Sequence, residues 1–86
     1  MDVTEPDLTQ LRVIFNQRRH AAGMTFDELA AASGLSRQTL LNVSSGRMNG
    51  DIRTWLLLSR AFGVPLDALL DPVWGPDVDE RSARIA

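Results

Sequence analysis

The stretch of sequence that decides the fold covers residues 24–46 and reads MTFDELAAASGLSRQTLLNVSSG. Thr25 stands three residues before Glu28, which is the spacing of a capping box at the start of a helix. Ser36 is a favourable N-cap for a second helix. Gly34 and Gly46 are suited to end the two helices, because glycine readily adopts the left-handed conformation found there. The stretch therefore predicts two short helices joined by a tight turn, which is a helix-turn-helix arrangement.

The segment before this pair predicts a longer first helix over residues 5–22. Thr4 and Asp7 have the spacing of a capping box, and Pro6 suits a first helical turn. Apolar residues recur after it at steps of three and four, which gives the helix one apolar side. Arg18 and Arg19 are expected on its solvated side.

The segment after the pair predicts two more helices. Asp51 suits the N-cap position of a fourth helix, which is predicted to end at Gly63. Its buried stripe is predicted to contain Ile52, Trp55, Leu58, Ser59 and Phe62. A fifth helix is predicted from Pro65 to Asp71, and helical periodicity disappears from Val73 onward. No strand-like alternation appears, so the sequence predicts an all-α fold of five helices.

Length and composition exclude several classes of function. Eighty-six residues suffice for one domain at most. With no Cys and a single His, the chain lacks the parts of a zinc site or of a nucleophile–base pair, so we expect no enzyme, no metal and no cofactor. The longest run of large apolar residues, 55–58, is far shorter than the roughly 20 residues of a membrane span. The acidic start is unlike a signal peptide, and we expect a cytoplasmic protein with no membrane partner.

Charge is unevenly distributed along the chain. The net charge is −2, but residues 8–70 contain seven arginines and four acidic residues, while both ends are acidic. A positively charged centre is compatible with an anionic partner such as a nucleic acid. We therefore expect three parts: an acidic lead with the first helix cap at 1–7, a domain at 8–71, and a tail at 72–86 that could contribute a dimer contact.

The central part of the sequence contains the motifs MTFDELA (24–30), GLSRQTL (34–40), SGRMNG (45–50) and IRTWLLLSRAFGVPLDALL (52–70). In these motifs it resembles the lambda-repressor-like (XRE, or Cro/repressor) family of DNA-binding domains. With the first helix included, the resemblance covers residues 8–70. It implies a five-helix lambda-repressor-like domain with the helix-turn-helix at helices two and three. Helix three, from Arg37 to Ser45, would then be the recognition helix in the major groove.

The resemblance implies two groups of DNA contacts. Base readout is expected from Arg37, Gln38, Leu41 and Asn42, and contacts to the DNA backbone from Thr25, Ser36, Ser45, Arg47 and Asn49. Arg can bind guanine and Gln can bind adenine through two hydrogen bonds, whereas Leu can only touch a thymine methyl group or join an apolar surface. A solvated polar surface is the plainer alternative for these side chains.

Three positions depart from the family pattern. Phe26 stands where many members have the Gln that anchors a phosphate and braces the recognition helix. Ser44 stands where an acidic residue is common, and Gly50 where the following loop usually has Pro. These departures concern the DNA contacts and leave the core positions unchanged.

The resemblance implies a small sequence-specific transcriptional regulator of the phage-repressor, Cro-like or bacterial XRE type. One helix-turn-helix reads few bases, so we expect a homodimer on double-stranded DNA with a partially palindromic site. The alternative is a protein-interaction module such as an antitoxin of a toxin–antitoxin pair, with a protein partner. The expected dimer contact consists of Leu56, Leu57, Leu70 and Trp74.

Overall fold

The computed structural model describes residues 5–74, and this range contains helices and no strands. The α-helices are α1 (Gln10–Ala22), α2 (Phe26–Ser33), α3 (Arg37–Ser45), α4 (Ile52–Phe62) and α5 (Leu66–Leu70), and a 3₁₀ helix (Asp71–Trp74) follows. The predicted all-α class, the five α-helices and the helix-turn-helix formed by α2 and α3 are confirmed. No helix in the described range is both long and apolar enough to cross a membrane.

The ends of α2 and α3 have the predicted caps. The Thr25 hydroxyl accepts a hydrogen bond from the Glu28 backbone N–H, and the Glu28 carboxylate accepts one from the Thr25 N–H. The Ser36 hydroxyl accepts the Thr39 N–H in the same way. Gly34, with a φ of +80°, ends α2 and turns the chain into α3. The caps satisfy N–H groups that a helix start otherwise leaves without partners.

The predicted start of the first helix was wrong, because α1 begins at Gln10 rather than at residue 5. The Asp7 carboxylate accepts the Thr9 N–H and closes a turn ahead of the helix. The Asp7 N–H donates to the Val73 carbonyl over 2.6 Å, which ties this turn to the 3₁₀ helix. Thr4, the expected partner of Asp7 in a capping box, lies outside the described residues.

One hydrophobic core joins all the helices. It consists of Leu11, Ile14, Phe15, Leu29, Leu35, Leu40, Val43, Trp55, Leu58, Leu69 and Val73. Full burial of a Leu or Phe side chain contributes about 1.5–3 kcal/mol, so this cluster is the main source of stability. Val73 was not expected, since periodicity ends before it. The 3₁₀ helix packs on α1 and α5 and carries Val73 into the core.

Ile52 was wrongly predicted to be buried, and its side chain is 64% exposed. The inward side of α4 is defined by Thr54, Trp55 and Leu58, which are all buried. A helix turns about 100° per residue, so Ile52 points roughly 110° away from the centre of that side. Ile52 therefore lies on the outer surface of α4.

Candidate nucleic-acid interface

The buried residues of α3 determine which of its side chains face outward. Leu40 and Val43 are buried in the core and fix the rotation of the helix. Arg37 and Gln38 are consequently exposed in the first turn, and Leu41 and Asn42 are half-buried one turn later. Residues four apart lie on the same face of a helix, so the four residues expected to read bases form one continuous surface.

Gln38 and Asn42 belong to a short chain of hydrogen bonds on this surface. Gln38 Nε2 donates to Asn42 Oδ1 over 3.1 Å. Asn42 Nδ2 lies 3.4 Å from the Met48 sulfur, and the Met48 N–H donates to the Asn42 carbonyl. The loop after α3 is thereby attached to the helix. Both side-chain contacts are exposed to solvent, where a hydrogen bond contributes little net free energy.

Arg37 is paired with an acidic residue of the preceding helix. Its Nε lies 3.1 Å from Oδ1 of Asp27, which is in the first turn of α2. The two side chains are 61% and 81% exposed. The pair therefore lies at the surface, and it connects the two helices of the helix-turn-helix at their N-terminal ends.

The residues expected to contact the DNA backbone lie in two regions. Ser45, Arg47 and Asn49 follow one another at the end of α3, where the Ser45 hydroxyl donates to the Asn42 carbonyl and accepts the Arg47 N–H. Arg47 and Asn49 are exposed. Thr25 and Ser36 stand at the N-termini of α2 and α3, and their hydroxyl oxygens accept backbone N–H groups there.

Arg12 joins the region at the end of α3, although the sequence assigned it no contact. Its side chain crosses Gly46 so closely that a Cβ at residue 46 would be 2.9 Å from Arg12 Cδ. A shallow groove beside it is lined by Leu8, Thr9, Arg12, Ser45, Gly46 and Asn49. The only signal in the sequence was that Arg12 lies off the apolar side of α1. Because α1 packs on α3, this position places Arg12 beside the end of α3.

Phe26 has a structural role that accounts for the first departure from the family pattern. Its ring lies 6.2 Å from the ring of Phe15, and the Arg19 guanidinium lies 4.4 Å from the Phe26 ring centre. Arg19 Nη1 also donates to the Met24 carbonyl over 2.8 Å. The expectation that Arg19 lies on a solvated face was wrong, because this cation–π contact holds it half-buried against the start of α2.

Ser44 and Asn16 form a reciprocal hydrogen-bonded pair. Asn16 Nδ2 donates to the Ser44 carbonyl over 3.0 Å, and the Ser44 hydroxyl donates to Asn16 Oδ1 over 2.6 Å. This neutral pair braces the end of α3 against α1 at the position where the family commonly has an acidic residue.

Gly50 shapes the loop between α3 and α4. Its φ is +84°, a value that Pro cannot adopt because its ring holds φ near −65°. The turn at Gly50 brings the Asn49 carbonyl within 2.7 Å of Trp55 Nε1, which donates to it. The Gly at this position therefore lets the loop satisfy the polar group of a buried Trp.

The four residues expected at a dimer contact differ in exposure. Leu56 is 50% exposed and Trp74 is 37% exposed. Leu57 and Leu70 are half-buried and pack against the core, so they offer less surface for such a contact than Leu56 and Trp74. Ile52 lies one turn before Leu56 on the same outer side of α4, although its position in the sequence pattern predicts a buried residue.

The comparisons with known proteins agree with this architecture. A family model described as helix-turn-helix, of the XRE or lambda-repressor-like type, matches residues 14–69. The match begins in α1 and ends in α5. It is a family of DNA-binding regulators and not of enzymes. No curated protein and no solved structure matches the chain.

Proposed function

Because the chain belongs to the XRE, lambda-repressor-like helix-turn-helix family, we propose that it is a transcriptional regulator that binds a specific duplex DNA sequence through α3. The observation that carries this proposal is the exposure of Arg37 and Gln38 on the first turn of a helix whose other side is buried. Arg and Gln are the side chains that bind guanine and adenine bidentately in the major groove. In this proposal α3 lies in that groove.

The cationic region at the end of α3 supports contacts to the DNA backbone. Arg47, Ser45 and Asn49 would bind phosphates there, and Arg12 would add a second guanidinium beside them. On the other side of α3, Thr25 and Ser36 would meet the backbone at two helix N-termini, where N–H groups favour anions. Phosphate contacts from both ends would fix the register of α3 without reading sequence.

We further propose that the protein acts as a homodimer on a partial palindrome. Two-fold pairing would place the recognition helices about 34 Å apart, on successive major grooves of one face of the duplex. Leu56 and Trp74 offer exposed apolar side chains for such a contact, and Ile52 adds a third. A regulator of this kind works in the compartment that holds the DNA, which we expect to be the cytoplasm.

A second candidate function is a protein-interaction module, for example an antitoxin. The observation that favours it is the same outer side of α4, where Ile52 and Leu56 are exposed one turn apart. Exposed apolar side chains that adjoin one another mark contact surfaces for proteins. The two candidates differ in whether the chain binds DNA by itself.

The experiment that tests the proposal is selection from a pool of random duplex DNA at low salt with the full chain, followed by sequencing of the bound fraction. We expect enrichment of one motif with two inverted half-sites whose centres are about 10 base pairs apart. Binding without enrichment would contradict sequence-specific regulation. A complete lack of binding at low salt would contradict any DNA function and favour the interaction module.

A further inference from the structure

The ion pair between Asp27 and Arg37 has no evident structural purpose. Both side chains are mostly exposed, and an exposed ion pair contributes little to stability. Asp27 is also not required as a cap, because Thr25 and Glu28 complete the capping box of α2. The pair nevertheless connects the first turn of α2 to the first residue of the proposed recognition helix.

A carboxylate at this place is unexpected on a surface that meets DNA, since phosphates repel it. The geometry of the contact resolves the conflict. Asp27 lies against Nε of Arg37, whereas Nη1 and Nη2 form a different edge of the planar guanidinium. Two N–H donors side by side are what guanine O6 and N7 accept. Arg37 can therefore keep Asp27 on one edge and present the other edge to a base.

We propose that Asp27 is a positioning residue, which holds the Arg37 guanidinium in the orientation in which it reads a base. The inference rests on the proposed function, and Asp27 itself contacts no base. A free Arg side chain has many rotamers, and ordering it on binding costs free energy. Orientation by Asp27 before binding reduces that cost at the correct base. Asp27 then increases discrimination between bases and not the general affinity for DNA.

A purely electrostatic role for Asp27 has different consequences. An acidic side chain in the first turn of a helix interacts favourably with the helix dipole and repels DNA whatever its sequence. Replacement by a neutral residue would then strengthen binding to all duplexes alike. Asp67 is a matched control, because it is also an exposed acidic residue in the first turn of a helix, α5.

The test compares the full-length wild type with Asp27→Asn, Arg37→Ala, the double variant and Asp67→Asn. Affinities are measured on the selected duplex and on the same duplex changed at the base pair whose preference Arg37→Ala abolishes. We expect Asp27→Asn to reduce the discrimination between the two duplexes about two- to fivefold. It should reduce the affinity for the selected duplex in the wild type but not when Arg37 is already Ala, and Asp67→Asn should leave the discrimination unchanged in the wild type.

Two results would overturn the positioning role. The first is discrimination by Asp27→Asn equal to that of the wild type, which includes a variant that binds both duplexes more tightly by the same factor. The second is a loss of affinity for the selected duplex on Asp27→Asn that is equally large in the Arg37→Ala background. A wild type that selects no motif would overturn the proposed function itself and the positioning role with it, so the two failures are distinguishable.

Discussion

Arg47 and Arg18 carry the same charge but lie in different surroundings. Arg47 follows α3, whereas Arg18 lines a groove with Leu69 and Pro72 beside α5 and the 3₁₀ helix. If Arg47 neutralises a phosphate, Arg47→Ala should weaken binding to all duplexes about equally. It should also reduce the slope of log affinity against log salt concentration by about one unit. Arg12→Ala should have the same effect on the slope.

Arg18→Ala is the control for these two variants, since it removes one positive charge from the other region. Fluorescence anisotropy titrations between about 50 and 200 mM salt give the slopes. Equal slopes for Arg47→Ala, Arg18→Ala and the wild type would contradict the assignment of Arg47 to a phosphate.

The sequence predicts which side chains of α3 face outward. It does not predict the contacts that form between different helices. The spacing of Ser36, Leu40 and Val43 already indicates which side of α3 is outward, so the exposure of Arg37 and Gln38 could be predicted from the sequence. Contacts between helices decided the rest. Nothing in the local sequence indicates that Arg19 lies over Phe26, or that Arg12 crosses Gly46, because these partners come from different helices.

Gly50 and Gly23, at the ends of helices and loops, distinguish two costs of adding a side chain: backbone strain and steric overlap. Both have positive φ, but a Cβ at Gly50 would meet Trp55 Nε1 at 3.0 Å and Thr54 at 3.2 Å, while at Gly23 it would meet nothing within 4 Å. Gly23→Ala should cost only the strain of a left-handed Ala, about 1–2 kcal/mol. Gly50→Ala should cost more, because the buried Trp55 must also shift.

Urea denaturation of the two glycine variants measures this difference as the free energy of unfolding. A larger loss for Gly23→Ala than for Gly50→Ala would contradict the tight packing of the α3–α4 loop against Trp55.

The cap of α4 predicts a pH dependence of stability. The Thr54 backbone N–H donates to Asp51 Oδ1 over 2.8 Å, and this bond lowers the pKa of the Asp51 carboxyl. A lowered pKa in the folded state means that Asp51 stabilises the fold above its unfolded-state pKa of about 3.9. The contribution is lost as the pH falls through the lowered value. The urea midpoint of the wild type should therefore decrease below about pH 4.

Asp51→Asn is the matched variant, because Asn is also a good N-cap but does not titrate. Its urea midpoint should decrease less between pH 6 and pH 3 than that of the wild type. Part of the decrease should remain, since the Thr9 side chain also lowers the pKa of Asp7. An equal decrease in both proteins would contradict the role of Asp51.

The start of a helix could be predicted where its cap consists of residues close together in sequence. The predicted start of α1 was wrong because this condition does not hold there. The caps of α2, α3 and α4 each use residues within three positions, so their spacing is visible in the sequence. Thr9 at the start of α1 makes no side-chain cap, and the turn that Asp7 and Thr9 close before it is tied to Val73, at the far end of the described chain. The buried position of Val73 has the same long-range origin.

Trp74 is the residue on which the proposed assembly of two whole molecules most depends. It ends the 3₁₀ helix and is 37% exposed, although the residue before it is buried. Aromatic side chains in such positions are enriched at interfaces between proteins. We expect the wild type to sediment as a dimer at micromolar concentration and Trp74→Ala to sediment mainly as a monomer.

Met48→Ala serves as the control for Trp74→Ala, because Met48 is an exposed apolar residue in the loop after α3, where it contacts Asn42, and belongs neither to α4 nor to the 3₁₀ helix. It should remain dimeric. If the wild type is a monomer, or if Trp74→Ala is as dimeric as the wild type, Trp74 is not the anchor of the dimer.

The central claim is that α3 reads bases through Arg37, and the most direct measurement is selection from random duplex DNA with the wild type and Arg37→Ala in parallel. We expect both proteins to enrich a motif with the same half-site spacing, and the variant to lose its preference at one base position in each half-site. The corresponding loss of specific binding should be about 1–3 kcal/mol. Enrichment of the same motif by both proteins, with unchanged base frequencies at every position, would contradict the account.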